Sequence, residues 1–398
     1  MTVNISLNDE IKSNNPELTD NKELKEEKNI ENLSVKNKKG SLIDSINNYL
    51  LKFSRVPLKE KLFFVQHLGV MLKAGISLSK ALQTLSIQTK NKYFSFILSD
   101  IAIKVEKGES FAECLKPYKN VFGELFISMI EAGEISGKLE DVLNQLFIQM
   151  KKEHALISKV KGALTYPVVI MMAMFGIGAF MMVFVVPRIT AIFTEMNVEL
   201  PLPTKILINV SNAVANHGLI SLLIFISIVI VFIRILKTYK GKYIFQAILL
   251  KSPIIGPIMK KINLARFARN ISSLLKTDIM IVKTFQITAN VLGNLHYREA
   301  ILDMANHIKK GDNLSDVIKQ YPKLFPPVVV QMVAIGEQTG ELDSILIELA
   351  EFYEEEVDQI MENLPSIIEP LLILMLGLGV GGVAVAIIMP MYSITNSI

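Results

Sequence analysis

Two stretches of this chain come close to a phosphate-binding loop. The first, "EAGEISGKLEDVL" from Glu131 to Leu143, carries Gly133, Glu134, Ser136, Gly137, Lys138 and Leu139. A P-loop reads G-x-x-x-x-G-K-[ST], because its backbone must wrap the phosphates, its lysine must reach them and its hydroxyl must hold magnesium. Here the two glycines are one residue too close, and Leu139 stands where the hydroxyl belongs. The second stretch, "AIGEQTGELDSIL", repeats Gly336, Glu337, Thr339, Gly340 and Leu342 in register but puts Glu341 in the place of Lys138. A phosphate site does not exchange its cation for an acid, so the motif is not a nucleotide loop. Other chemistry fails on inventory. His67, His154, His217, His296 and His307 are scattered, none forms H-E-x-x-H or pairs with Cys114 at ligand spacing, and no G-x-S-x-G occurs. No catalytic residue, cofactor or metal is expected.

What remains is to ask which elements hold a motif that occurs twice. Of the 398 residues, 51% are hydrophobic, and the mean hydropathy is +0.39, which points to a membrane protein. Three runs supply the roughly 20 apolar residues a bilayer crossing needs: residues 164–187, 217–236 and 364–390. Residues 1–56 read as a disordered Asn/Lys/Glu tail without a signal peptide, carrying a short amphipathic helix at 41–53 that could lie on the membrane or dock on a bundle. The lone Cys114 excludes an intrachain disulfide and fits a reducing compartment.

Lysines set the orientation. Lys151, Lys152, Lys159 and Lys161 precede the first run, and Arg234, Lys237, Lys240 and Lys242 follow the second, whereas residues 188–216 hold only Arg188 and Lys205. The positive-inside rule puts both basic flanks in the cytoplasm. The expected order is a cytoplasmic domain at 57–163, a span, an external segment at 188–216, a second span, a cytoplasmic domain at 237–363, a third span and an external C-terminus at 391–398. The net charge of +4 is accounted for by these flanks and calls for no nucleic acid.

A constant offset of 203 positions relates two long segments without a gap. It pairs Phe64 with Phe267, Gly108 with Gly311, Phe122 with Phe325, Gly133 with Gly336, Pro167 with Pro370 and Pro187 with Pro390. The repeated unit is a domain plus the span that follows it, and the middle span returns the chain to the starting side. Within the unit the apolar spacing is helical: Phe64, Leu68, Met71, Leu72, Leu78, Leu82 and Leu85 form a stripe that breaks around Gly75. Ser110 with Glu113, and Asn313 with Asp316, have capping-box spacing. The motif then reads as a helix junction. Gly133 and Gly137 permit a tight turn, Ser136 or Gly137 caps the next helix, and Leu139, Val142, Leu143 and Leu146 are its buried stripe. Glu134 and Glu337 are read first as helix-end residues, with exposure to a partner as the alternative.

The tandem G-E-x-[ST]-G-x-L motif, the prolines opening and closing each repeated span (Pro167, Pro187, Pro370, Pro390), the Gly-rich last span (Gly377, Gly379, Gly381, Gly382) and the three-span order resemble the type II secretion F family, from about residue 57 to the C-terminus. The resemblance implies an all-α membrane protein with two homologous six-helix cytoplasmic bundles and three transmembrane helices. It also implies a homo-oligomer in the bacterial inner membrane, acting as a platform between a cytoplasmic assembly ATPase, pilin or pseudopilin subunits and other inner-membrane machine components. Some members bind calcium through two acids four residues apart after the motif. The matching positions here are Asn144 and Ile148, and Ile347 and Glu351, so no metal is expected. Rival readings are a transporter or a membrane scaffold unrelated to pili. The transporter lacks support in the first two spans, which carry no charge until Arg234.

Overall fold

The computed structural model describes residues 56–195 and 201–395. The expectations for the tail through residue 55, including the amphipathic segment at 41–53, and for residues 196–200 and 396–398 lie outside the described residues. Among the described residues the chain is helical and no strand occurs.

The first unit folds as α1 (Leu58–Lys73), α2 (Leu78–Gln88), α3 (Lys92–Glu106), the short α4 (Phe111–Leu115) and α5 (Lys119–Phe122), α6 (Glu124–Ser136) and the first turns of α7 (Leu139–Phe180). The second repeats this order as α12 (Ile255–Leu275), α13 (Ile281–Val291), α14 (Leu295–Lys310), α15 (Leu314–Ile318), α16 (Pro327–Thr339) and α17 (Leu342–Thr395). Between them run α8 (Val186–Glu195), α9 (Leu202–Asn216), α10 (Gly218–Lys237) and α11 (Tyr239–Lys251). The break between α1 and α2 falls at Gly75, whose φ of +78° an L side chain rarely adopts. The same corner in the second unit is made by Asp278 at φ +60°, the one non-glycine residue with positive φ among those described.

Each unit has a core, and Leu274, Ile279 and Ile287 of the second unit join that of the first. Phe64, Leu68, Leu82, Leu85, Phe94 and Ile97 are fully buried in the first, and Phe267, Ile271, Phe285, Tyr297, Phe325 and Leu346 in the second. Side chains of this size contribute roughly 1.5–3 kcal/mol each on burial. Equivalent aromatic contacts recur: Phe64 lies 6.0 Å from Phe122, and Phe267 lies 5.1 Å from Phe325.

The last helix of each unit does not stop at the unit's edge. α17 is a single helix of 54 residues, and α7 continues for 42 residues before a π-helical turn at Met181–Val185 leads into α8. Leu139–Ala191 and Leu342–Met389 are long and apolar enough to cross a membrane. The expected domain edges at 163/164 and 363/364 therefore lie inside unbroken helix. α10 is a third apolar helix, 20 residues long, with Ile228, Phe232 and Ile235 on its exposed surface. Residues 202–216, expected as part of an external segment, form α9.

Candidate functional site

At the motif, α6 ends on Gly137 in the left-handed region (φ +69°), and α16 ends on Gly340 in the same way (φ +76°). Gly137 thus closes the preceding helix, where the sequence had suggested a cap for the following one. Ser136 likewise turns back, its hydroxyl donating to the Ala132 carbonyl at 2.8 Å, as Thr339 does to Ile335 at 2.9 Å. Gly133 makes no turn; it sits inside α6 where α7 crosses. A Cβ there would stand 2.8 Å from Cγ2 of Val142, and one at Gly336 would stand 3.0 Å from Cα of Leu342. The glycine is what lets two helices joined by a two-residue corner pack in contact. Val142, Leu143 and Leu146 are buried, and Leu139 is half-buried beside them.

The motif glutamates reach a helix end, but not that of their own helix. Glu134 accepts the backbone N–H of Phe111 at 2.7 Å, that of Ala112 at 2.9 Å and the Ser110 hydroxyl at 2.7 Å. Glu337 accepts the N–H groups of Leu314 at 2.6 Å and Ser315 at 3.1 Å, and the Ser315 hydroxyl at 2.9 Å. Each carboxylate supplies the acceptors that the first turn of a short helix lacks, and its charge suits the positive end of that helix. This displaces the expected capping boxes. Ser110 donates to Glu134 instead of accepting from the backbone, Glu113 pairs with Lys116, and Asp316 pairs with Lys319.

A second repeated lock was missed by motif reading. Tyr118 donates to Asp100 at 2.8 Å and Tyr321 donates to Asp303 at 2.7 Å. The signal was present, since the offset of 203 pairs Asp100 with Asp303 and Tyr118 with Tyr321. Burial pushes the Asp100 carboxyl up, but hydrogen bonds from Lys104 and Tyr118 outweigh this and hold it below the usual carboxylate range.

The two units pack on one another through apolar side chains, Leu274, Ile279 and Ile287 of the second lying against the core of the first, and through polar ones. Along α7 and α12, Gln149 donates to Asn270 at 2.6 Å and accepts from Ser273 at 3.0 Å, Gln145 donates to Ser273 at 3.2 Å, and Arg266 pairs with Glu153 at 2.7 Å. At the motif, Lys138 reaches Asp278 at 3.2 Å, and Lys283 reaches Glu131 at 3.0 Å. Lys138 is therefore the cation of an inter-unit pair. A groove of about 310 Å³ beside it is lined by Ser136, Lys138, Asp141, Lys276, Thr277 and Asp278. Further along α7, Leu156 joins Ile262, Val357, Met361 and Leu364 in an apolar seam.

The closing prolines of the repeated spans acquire a specific consequence. Pro390 has no N–H for the carbonyl of Ala386 four residues earlier. In the π-helical turn, where pairing runs over five residues, Pro187 likewise leaves the carbonyl of Met182 without a donor. α9 supplies both missing donors: the Thr204 hydroxyl reaches the Ala386 carbonyl at 2.5 Å, and the Ser211 hydroxyl reaches that of Met182 at 2.6 Å. Both hydroxyl residues are buried. Gly377, Gly379, Gly381 and Gly382, by contrast, have nothing within 4 Å of where a Cβ would stand, so among the described residues nothing packs closely on these glycines. Pro167 is buried within α7 and Pro370 lies within α17. Among the described residues no group of three His, Cys, Asp or Glu side chains is placed to hold a metal ion.

The family model for type II secretion system protein F matches the chain twice, over residues 64–187 and 267–390. The chain belongs to this family. The two matched segments begin and end on Phe64, Pro187, Phe267 and Pro390, the residues that bound the internal repeat, so the type II secretion F unit is a bundle together with its long helix. The chain is 36% identical to the type IV pilus assembly protein PilC of Thermus thermophilus, over 86% of this chain and 84% of that protein. It is 32% identical to PilC of Myxococcus xanthus, over 92% and 87%. Against the type II secretion system protein F of Aeromonas hydrophila it is 29% identical, over 88% and 90%. Similarity thus extends to proteins named for pilus assembly and to proteins named for secretion.

Proposed function

We propose that this type II secretion F protein is an inner-membrane platform that couples a cytoplasmic assembly ATPase to the insertion or extraction of pilin or pseudopilin subunits. The observation that carries the reading is the continuity of α7 and α17 from a packed bundle into an apolar stretch. A continuous helix of 54 residues is about 80 Å long, so one element runs from a bundle into the apolar stretch and links displacement of the one to the other. In this reading each unit is a six-helix bundle in the cytoplasm, α7, α10 and α17 make three crossings, and the N-terminus is cytoplasmic. The relatives' names, type IV pilus assembly protein and type II secretion system protein, support the machine to which it is assigned. The open glycines of α17 suit close approach by an apolar helix of a subunit or of a second copy. Neither the motif nor the histidines are given catalytic work.

Topology and role are tested together in cells. A cysteine introduced at Asn197 should react with an impermeant thiol reagent while one at Asn144 or Asn313 does not, and deleting the gene should abolish piliation or secretion. Labelling at Asn144, or a deletion strain that assembles pili and secretes normally, would overturn the reading.

A further inference from the structure

α11 belongs to neither of the segments that match the family model, and its charge is unlike that of the rest of the chain. The sequence carries 38 Asp and Glu in 398 residues, yet none occurs between Glu199 and Asp278. Over residues 234–261, from the last turn of α10 into the first turns of α12, there are seven Lys or Arg and no acid. Cations further along find acids across the chain: Lys261 pairs with Glu356, and Arg266 with Glu153. Among the described residues no ion pair takes up Lys237, Lys240, Lys242 or Lys251.

Packing fixes which way α11 faces. On one side Gln246 donates to the Gly293 carbonyl at 3.1 Å and accepts the Leu295 N–H at 2.8 Å, and the Tyr243 ring lies 4.0 Å from that of His296. That side is tied to the start of α14. A second side meets the helix the chain has just left. A Cβ on Gly241 would stand 2.1 Å from the Ile235 carbonyl oxygen, and Phe245 sets its ring edge-on to Phe232 at 6.3 Å. Ile248 follows Gly241 and Phe245 at helical spacing, so it continues the line that faces α10, yet it is 62% exposed. Ile244, one turn earlier, is 59% exposed, and the exposed Lys240 and Lys251 close the stripe at either end. An apolar pair between two lysines, on the side that α10 occupies, is the pattern of a helix lying in a membrane interface. There aliphatic side chains enter the acyl boundary and lysine stems carry their ammonium groups to the headgroups.

We propose that α11 lies in the cytoplasmic face of the bilayer, with Ile244 and Ile248 at the acyl boundary and Lys237, Lys240, Lys242 and Lys251 on the headgroups of anionic phospholipids. Unpaired cations in a stretch without acids select an anionic layer. Continuity with α10 puts that layer within reach, since Thr238 alone separates the two helices. Because another side of α11 is bonded to α14, the attachment fixes the attitude of the second unit to the membrane independently of α17. The proposal rests on the platform reading in taking α10 as a crossing, and adds a lipid class to it.

The test uses the full chain reconstituted at high lipid excess in phosphatidylcholine vesicles, with or without phosphatidylglycerol. Cys114 is buried and stays in place. Nitroxide labels at Ile244→Cys and Ile248→Cys report collisions with oxygen, which partitions into lipid, and with a water-soluble nickel chelate. Ile135→Cys is the reference: Ile135 is 83% exposed and precedes α7, whose first 25 residues or so, about 37 Å, lead to the apolar run at residue 164. In vesicles with phosphatidylglycerol the labels on α11 should lose nickel collisions relative to the reference, and Lys240→Glu with Lys251→Glu, or added salt, should restore them. Nickel collisions as frequent at Ile248→Cys as at Ile135→Cys would overturn the proposal. So would equal protection with and without phosphatidylglycerol, which would mean a contact indifferent to lipid charge, or protection that fades on further dilution with lipid, which would mean a second copy of the chain. Protection in native membranes but not in vesicles would assign the surface to an acidic protein and overturn it as well. A label at Ile228→Cys, midway along α10, reports the crossing separately: free nickel collisions there, with Ile248→Cys protected, would count against the platform reading alone.

Discussion

Glu134 accepts the backbone N–H of Phe111 at 2.7 Å, tying the last turn of α6 to the first turn of α4 across 23 residues of chain. The acid in the repeated motif is thus a cap delivered from a neighbouring helix, and Glu337 does the same for Leu314.

Removing it leaves two N–H groups and a hydroxyl without their acceptor. Glu134→Ala and Glu337→Ala should each destabilise their unit by about 1–3 kcal/mol, and Glu134→Gln by less, because one amide oxygen still accepts. Thermal unfolding of the detergent-solubilised chain measures this. An unchanged melting temperature with lost partner binding would assign the acid to the partner instead.

The offset of 203 made the architecture legible, because packing positions such as Phe64 and Phe267, or Phe122 and Phe325, must recur wherever the same bundle is built twice. The partners of the motif were less legible. Capping-box spacing pointed Ser110 at Glu113, a local pairing, whereas the acceptor came from a helix whose position only tertiary packing fixes. The donors on α9 were invisible for a similar reason. Pro187 and Pro390 announce a missing N–H, but nothing local says that Ser211 and Thr204 replace it. Lys138 and Glu341 showed in sequence that the copies diverge, and the Asp278 contact shows what one of them meets.

The α9 clamp predicts a coupling that a double-mutant cycle can read. Thr204→Val should cost about 1 kcal/mol by orphaning the Ala386 carbonyl. Pro390→Ala restores a backbone N–H to that carbonyl, so in its background the same substitution should cost little. Equal costs in both backgrounds, measured by unfolding in detergent, would show that Thr204 does not act through this bond.

Tyr321 carries a pH signature. Burial, and then its hydrogen bond to Asp303, raise its pKa from 10.0 to about 12. A folded-state pKa above the unfolded value stabilises fully below about pH 10, and this contribution is lost as pH rises towards 12. Tyr321→Phe should therefore lower stability by about 0.5–1 kcal/mol at neutral pH, the low end for a partly exposed pair. It should also flatten the fall in stability between pH 10 and 12. An alkaline unfolding profile unchanged by the substitution would contradict this.

The central claim is that the bundles receive work from an assembly ATPase, and that the first bundle is the principal contact. A photo-crosslinking residue placed at exposed Lys107 or Glu109 in the full-length chain, in cells that assemble the machine, tests it directly. Adducts with the assembly ATPase are predicted from these positions, and weaker or no adducts from their counterparts Lys310 and Asp312 in the second unit. Adducts from Lys310 and Asp312 alone, or no ATPase adduct from either unit while the chain still supports assembly, would contradict the account.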